Sequence, residues 1–368
     1  MGFSILRQEP RFDFVAWRRV AYVASLTVVL LGMFGFFLRG GLRYGVDFAG
    51  GVAVQVTFIK PAGDERIKAT LSESELPGLA VQQFGDSGQD YLIRFSTPDI
   101  PAENIRSTVL DALVRAFPDN TVTIQRLEVV GPKVGADLRN AALAAMYYAI
   151  LLTIVYISGR FENRWFIAAF MAAALSAGMY ATSLLGISMV WQVLIALCLT
   201  MVICWKLGLN FALGAMVSLV HDFIVTVGLL VLMGKEFDLN VIAALLIVVG
   251  YSLNDTIIIC DRIRENLRKQ KDKNLQSMAQ IINDSCNQTL SRTIITTGTT
   301  AVAAFSLFFL GGGVIHDFAL TMLIGIFIGT YSSIFVASPV LLAFGDTASY
   351  LALVRRVEYE RPGEHGMV

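Results

Sequence analysis

A carboxylate interrupts a stretch of sequence that is otherwise apolar. Asp255 belongs to the run Gly-Tyr-Ser-Leu-Asn-Asp-Thr at 250–256, inside the apolar stretch 239–260. A central aspartate costs about 2.5–3.5 kcal/mol on membrane-insertion scales, and such residues usually serve a proton or ion path. The structural alternative is a carboxyl group neutralised by protonation or by one hydrogen bond between helices. We predict that Asp255 couples protons, with Ser252 and Asn254 as polar neighbours.

An arginine stands at the start of the next apolar stretch. Arg292 lies in the threonine-rich run 289–300, at about the depth that Asp255 reaches from the same side of the membrane. An Asp255–Arg292 ion pair would keep the carboxylate ionised, and protonation would release the arginine. Thr296 and the threonines around it can bond to backbone groups or hold water. The alternative is an arginine that extends to the lipid headgroups, but the neighbouring carboxylate favours the ion pair.

A second ionisable pair, His221 and Asp222, lies midway along the apolar stretch 211–233. A histidine beside a carboxylate near the bilayer centre can relay protons. The two groups can equally form a hydrogen-bonded pair that fixes helix packing, and the sequence does not separate these interpretations. The pair is therefore a candidate second relay.

The composition indicates a membrane protein. Of the 368 residues, 55% are apolar and 16% are charged, against about a quarter charged in soluble domains. The formal net charge is zero, so nothing in it suggests a nucleic-acid partner. The four cysteines lack metal-ligand or disulfide spacing, and no phosphate-binding, nucleophile or zinc motif occurs. We expect no cofactor, no metal and no enzymatic activity.

Eight stretches are long and apolar enough to span a membrane. They are 20–38, 138–158, 165–185, 187–205, 211–233, 239–260, 293–310 and 318–343. The alternative for the hairpin at 165–205 is a re-entrant or interfacial segment. Lysine and arginine concentrate in the N-terminal segment, in alternate short connections and in the C-terminal tail. This distribution predicts that both termini are cytoplasmic.

The long connection 39–137 is predicted to be a periplasmic domain. Its segments follow the order β-α-β-β-α-β, which indicates a ferredoxin-like fold. The other divisions are the N-terminus with the first helix at 1–38, a bundle at 138–345 and a cytoplasmic tail at 346–368. Within the bundle, basic and apolar residues of 261–288 predict an amphipathic segment on the cytoplasmic membrane face, although a plain basic anchor explains the charges equally well.

Five motifs, in order along the chain, together resemble the SecF family of the RND superfamily. The first two are Gly-Val-Asp-Phe-Ala-Gly-Gly at 45–51 and Val-Val-Gly-Pro-Lys-Val-Gly-Ala-Asp at 129–137. The third is 250–266, which ends in Asp-Arg-Ile-Arg-Glu-Asn, and the last two are Thr-Leu-Ser-Arg-Thr at 289–293 and the segment 321–330. Each motif is weak alone, whereas the ordered set is specific.

The resemblance implies an α-helical, RND-type six-helix half-transporter core with one periplasmic α+β domain, paired with SecD beside the SecYEG translocon. It also implies that Asp255 and Arg292 belong to the proton-coupling site. The translocating polypeptide, YidC and YajC are further expected partners. One feature departs from the family, in which the Arg-Phe-Glu motif, here at 160–162, leads directly into the span that bears His221. The insertion 165–205 separates them here and adds a hairpin, giving eight spans.

The predicted function is to use the proton-motive force to assist protein export on the periplasmic side of a bacterial inner membrane. Two alternatives remain open at this point. One is an RND-type proton-driven exporter of a small molecule or lipid, and the other is a scaffold for SecD that transports nothing.

Overall fold

Eight helices in the computed structural model are long and apolar enough to cross a membrane. This count refers to the residues that the structure describes, which are 11–72, 76–84, 88–96, 102–270, 276–311, 313–345 and 347–351. Each of the eight apolar stretches found in the sequence coincides with one of these helices, apart from one or two residues at an end, and this includes both arms of the hairpin 165–205. The predictions for residues 1–10 and for most of the tail fall outside the described residues.

The helices follow one another along the chain with short connections, except where the sheet lies. They are α1 (Arg18–Leu38), α2 (Val46–Ala49), α3 (Asp64–Ser72), α4 (Ala102–Ala116), α5 (Pro132–Glu162), α6 (Trp165–Leu184), α7 (Met189–Lys206), α8 (Asn210–Leu232), α9 (Leu239–Arg268), α10 (Met278–Leu310), α11 (Gly313–Ser332) and α12 (Ser338–Phe344). A five-residue π-helical segment, Ser333–Ala337, joins the last two. The long helices alternate in direction, so the bundle has a sheet-domain end and a distal end.

Four antiparallel strands form the sheet domain (residues 46–130). They are β1 (Gly51–Phe58), β2 (Ala80–Phe84), β3 (Asp90–Phe95) and β4 (Val122–Val130), in the spatial order β2-β3-β1-β4. Alternate strand residues such as Val54 and Ile93 are buried with Ile67 of α3 and Val109 of α4. This alternation is what a sheet requires when helices cover one face. The order β1-α3-β2-β3-α4-β4 is the order predicted from the sequence.

Two boundaries differ from the sequence prediction. Helix α5 begins at Pro132, six residues before the predicted span, because proline is accommodated in the first turn of a helix. The predicted amphipathic segment 261–288 is not a separate surface helix. Helix α9 continues to Arg268 and α10 begins at Met278, and Ile281 and Ile282 are buried in the bundle core. Their apolar periodicity therefore reflects packing between helix extensions at the distal end.

Helices α9 and α11 approach closely because two glycines of α11 face α9. A methyl group added to Gly325 would lie 2.2 Å from the side chain of Val248, and one added to Gly329 would lie 2.8 Å from that of Ser252. Glycines four residues apart allow such contact between membrane helices. The polar residues that follow on α11 are thereby brought against the polar segment of α9.

Candidate functional site

Asp255 is buried between α9 and α11, with 1% of its surface exposed. Its Oδ2 accepts a long hydrogen bond, 3.4 Å, from the hydroxyl of Thr330. Its Oδ1 is buried and has no hydrogen-bond partner among the described residues. Since a buried carboxylate oxygen normally has a partner, the chain leaves this group with an unused acceptor, or with a place for a proton.

A chain of hydroxyl groups leads to Asp255 by way of α10 and α11. The phenol of Tyr251 donates to Thr297 over 3.2 Å, and the hydroxyls of Thr297 and Thr330 are 2.8 Å apart. Because Thr330 donates to Asp255, its oxygen accepts from Thr297, so every donor in the chain points towards the carboxylate. Sequence reasoning missed Thr297 and Thr330, although Thr297 lies in the threonine-rich run 289–300 and Thr330 is the last residue of the segment 321–330.

Arg292 does not form the predicted ion pair with Asp255. Its side chain is exposed on α10, and no salt bridge links it to any carboxylate in the described part of the chain. The guanidinium lies close enough to act on Asp255 electrostatically. The position of Arg292 at the start of its apolar stretch was enough to predict its depth, but not the side on which the arginine leaves the helix.

Two other predicted site residues also lie away from the carboxylate. Asn254 is exposed on α9, and its side chain makes no hydrogen bond to another described residue. The hydroxyl of Thr296 donates to carbonyl groups of its own helix, those of Arg292 and Thr293, both at 3.1 Å. Thr297, one residue further along, occupies the position that was predicted for Thr296.

His221 and Asp222 form a second buried cluster. His221 Nδ1 lies 3.1 Å from Oδ1 of Asp222, whose Oδ2 accepts a 2.6 Å hydrogen bond from the hydroxyl of Ser252. His221 Nε2 lies 3.0 Å from the hydroxyl of Ser25 on α1. Ser252 was predicted to serve Asp255, but its hydroxyl donates to Asp222 of α8 instead.

Two serines at the junction of α11 and the π-helical segment contact α8 and α9. Ser333 lies 2.9 Å from the hydroxyl of Thr256 and donates to the carbonyl of Ser252 over 3.4 Å. Ser332 accepts from Ser218 of α8 over 2.9 Å. A π-helical turn shifts the register of a helix and often occurs at functional sites. Here it directs two successive serines towards α8 and α9.

The sheet-domain end of α9 is tied to the sheet domain through one connection, Gly234–Asp238, called here the outer loop. The backbone of Phe237 exchanges hydrogen bonds with Arg43 and Gly45, each 2.8 Å long. Arg94 of β3 forms an ion pair with Glu236. Lys235 pairs with Asp317 of α11 over 2.7 Å. The helix that bears Asp255 therefore begins at a loop that also contacts the sheet domain, and the helix that bears Thr330 is linked to the same loop through Asp317.

The distal ends of the helices are joined by the Arg-Phe-Glu motif. Glu162 accepts the backbone N–H of Phe211, at the start of α8, over 2.9 Å. Arg160 pairs with Asp261 of α9 over 3.1 Å. These contacts set the relative heights of α8 and α9, and thus of their two aspartates. No group of histidine, cysteine or acidic side chains suited to a metal ion occurs among the described residues.

Fold and site together define a multi-pass membrane protein with two buried carboxylate clusters at mid-bundle and a sheet domain at one end. The family model for the C-terminal region of the protein export membrane proteins SecD and SecF matches residues 109–197 and 177–347. The two matches overlap within the α6–α7 hairpin, where the predicted insertion lies.

Curated relatives identify the branch of this family. A protein translocase subunit SecF from Magnetococcus marinus is 41% identical over 92% of this chain and 94% of its own length. One from Calditerrivibrio nitroreducens is 35% identical over 91% of this chain and 94% of its own length. The chain therefore belongs to the SecF family of protein translocase subunits, and the resemblance seen in the motifs is confirmed.

Two solved structures share the fold. The crystal structure of SecDF from Thermus thermophilus, described as a translocon-associated membrane protein, matches with a TM-score of 0.64 and 31% identity over 91% of this chain. A structure of SecDF in a super-membrane-facing form matches with a TM-score of 0.52 and 28% identity. This chain spans 38% and 40% of those two chains.

Proposed function

We propose that this protein is the SecF-type subunit of a SecDF complex, and that it uses the proton-motive force to assist protein export beside the SecYEG translocon. The observation that carries this proposal is the free oxygen of Asp255, a buried carboxylate that the chain leaves partly unbonded. Family membership supplies the export role, and the site supplies a group that can bind and release a proton.

The orientation follows from the basic residues. With both termini in the cytoplasm, the sheet domain lies in the periplasm and the inner membrane surrounds the bundle. The family core is then six helices, to which the α6–α7 hairpin is added, and the sheet domain corresponds to the ferredoxin-like domain. Protons enter from the periplasmic side, bind Asp255 and leave towards the cytoplasm. One elementary charge that crosses 100 mV supplies about 2.3 kcal/mol.

An exposed polar face on α9 and α10 supports a partner within the membrane. Arg292, Asn254, Gly298 and Thr299 are all exposed on these two helices. A guanidinium and an amide facing hydrocarbon are costly, so this face fits a second membrane protein that carries polar groups. We assign it to SecD, and we place Arg292 between the two subunits, where it can reach Asp255 or a carboxylate of SecD.

The outer loop offers a route from the proton site to the exported chain. Protonation of Asp255 removes a negative charge from the contact between α9 and α11. Both helices have one end beside the outer loop. Its ion pairs to Arg94 and Asp317 transmit a shift of either helix to the sheet domain. The sheet domain then acts on the emerging polypeptide, while YidC and YajC are further partners of the same machinery.

The proposal is tested by photocrosslinking from the sheet domain during export. A photoreactive residue replaces Ile59, which is 63% exposed, and the matched control position is Phe166 of α6, which is 91% exposed. We expect Ile59 to crosslink to an arrested secretory polypeptide, more strongly when a proton gradient is present. The position at Phe166 stays uncrosslinked to it.

The alternatives predict different results in the same experiment. An exporter of small molecules or lipids would give no crosslink to the secretory chain at either position. A scaffold for SecD would give a crosslink that is insensitive to the gradient and to Asp255→Asn. Either result would contradict the proposal.

A further inference from the structure

A chain of hydrogen-bond contacts runs from His221 to a backbone carbonyl of α1. That carbonyl determines which atoms along the chain carry a hydrogen. The phenol of Tyr331 is 2.7 Å from the backbone carbonyl of Ala21, and 3.0 Å from the hydroxyl of Ser25. Ser25 is in turn 3.0 Å from His221 Nε2. Three successive contacts therefore lead from the carbonyl of α1 to the imidazole of α8.

These contacts can all be hydrogen bonds in one direction only. The carbonyl of Ala21 has no hydrogen, so Tyr331 must donate its single hydrogen to it. Ser25 must then donate to the oxygen of Tyr331, because the phenol has no second hydrogen. The oxygen of Ser25 is left to accept, and His221 Nε2 must carry a hydrogen.

The other imidazole nitrogen then faces the carboxylate. In a neutral imidazole with its hydrogen on Nε2, Nδ1 is an acceptor, and Oδ1 of an ionised Asp222 is an acceptor as well. Their separation of 3.1 Å is a hydrogen bond only if one further proton lies on Nδ1 or on Oδ1. Ser252 already donates to Oδ2, so it cannot supply this hydrogen.

The charge balance leads to the same conclusion independently. The side chain of Asp222 is 3% exposed, and no lysine or arginine contacts it or His221 in the described part of the chain. A buried carboxylate without a counter-ion is strongly disfavoured. Either the imidazolium of His221 or a proton on the carboxyl group neutralises it. The ring of Tyr331 packs beside His221, with 6.1 Å between the two ring centroids.

We propose that the His221–Asp222 pair is a second proton-binding site that holds one proton in this conformation, and that Ser25 and Tyr331 fix its polarity. Removal of that proton leaves two acceptors facing each other at 3.1 Å. The imidazole must then turn or withdraw, which breaks its contact with α1. Proton occupancy of the pair is thus linked to the packing of α1 against α8. The role of the His221–Asp222 pair in export rests on the proposed function, whereas its proton occupancy does not.

The test is nitrogen-15 and carbon-13 NMR of the full chain in lipid bilayers, without a gradient or a partner protein. The chain has three histidines, so the His221 signals are identified by their loss in His221→Gln. Asp222→Glu and Asp222→Asn identify the carboxyl signal. We expect a hydrogen on Nε2 at neutral pH, together with either a protonated Nδ1 or a protonated Asp222 carboxyl group. A hydrogen on Nδ1 with a bare Nε2, or a neutral imidazole beside an ionised Asp222, would overturn the proposal.

Two substitutions on α1 test the polarity. Ser25→Ala removes the acceptor of the Nε2 hydrogen, and we expect the nitrogen-15 signal of His221 Nε2 to shift because that N–H loses its hydrogen bond. Thr27→Val is the matched control, because Thr27 is exposed and bonds only to a carbonyl of its own helix. Unchanged His221 signals in Ser25→Ala would contradict the assigned polarity. Because these spectra need no transport, their outcome is separate from the crosslinking test of the proposed function.

Discussion

Asp222 and Asp255 occupy the same bundle and are almost equally buried, but the chain bonds them very differently. Asp222 has a partner on each oxygen, at 3.1 Å and 2.6 Å. Asp255 has one contact of 3.4 Å and a second oxygen without any partner among the described residues. In the first cluster the chain supplies a partner for each carboxylate oxygen, so this cluster is complete in its protein contacts. In the second, one oxygen is left for a proton or for a group from another subunit.

The comparison predicts the largest loss of stability at the complete cluster. Ser252→Ala removes the 2.6 Å hydrogen bond and leaves Oδ2 of Asp222 buried without a partner. We expect the free energy of unfolding to fall by about 1–3 kcal/mol, the usual cost of such an atom. Thermal unfolding of the purified protein measures it. Asp255→Asn serves as the contrasting variant, and an equal loss there would remove the distinction between the clusters.

Arg292→Ala should leave stability unchanged and reduce function. The side chain makes no salt bridge to a described residue, so the fold loses no ion pair. We expect the gradient-dependent part of export to fall about tenfold, equivalent to about 1.4 kcal/mol, with partial recovery in Arg292→Lys. Export into membrane vesicles with and without an imposed gradient measures this effect. If Arg292→Ala exports normally but unfolds early, Arg292 is a structural residue.

The outer loop should show a smaller effect on coupling. Arg94→Glu turns the attraction between residues 94 and 236 into repulsion. The double variant Arg94→Glu, Glu236→Arg restores the attraction. Because partly exposed ion pairs contribute about 0.2–1 kcal/mol, we expect a loss of coupling of up to about fivefold. The double variant should recover it. Equal export by both variants and the unaltered protein would show that this contact transmits nothing.

Thr330→Val should have the smallest effect. The variant removes the hydrogen bond of 3.4 Å to Asp255, which is longer than a strong bond, and the 2.8 Å contact with Thr297, and a methyl group replaces the hydroxyl. We expect at most about a twofold change in gradient-dependent export, within about 0.5 kcal/mol. Thr296→Val is the matched control, because that hydroxyl bonds only to its own helix. A tenfold loss in Thr330→Val would mean that the hydroxyl chain is essential to proton transfer.

Much of the fold follows from local sequence, whereas the detailed contacts of the site do not. Span length predicted all eight helices, and alternation predicted the order of strands and helices in the sheet domain. Hydropathy also selected Asp255 and His221–Asp222 as costly groups. It did not show that Ser252 serves Asp222, because that depends on how α8 and α9 are rotated about their axes.

The same limit explains the residues that were missed. Thr330 reaches Asp255 only because Gly325 and Gly329 allow α11 to approach α9, and Ser333 depends on a π-helical turn. Both effects arise from tertiary packing. The exposure of Arg292 also follows from packing, since its helix presents that face away from the rest of the described bundle.

The most direct test of the account is export driven by an imposed proton gradient in vesicles that contain Asp255→Asn. Asparagine has nearly the same shape but cannot bind and release a proton at neutral pH. Asn254→Ala, on the adjacent residue of the face assigned to SecD, is the control for changes in α9 and in that face that leave the titratable group in place. We predict that Asp255→Asn assembles with its partner but loses the gradient-dependent part of export, while Asn254→Ala retains most of it. Gradient-dependent export equal to that of the unaltered protein in Asp255→Asn would contradict the central claim.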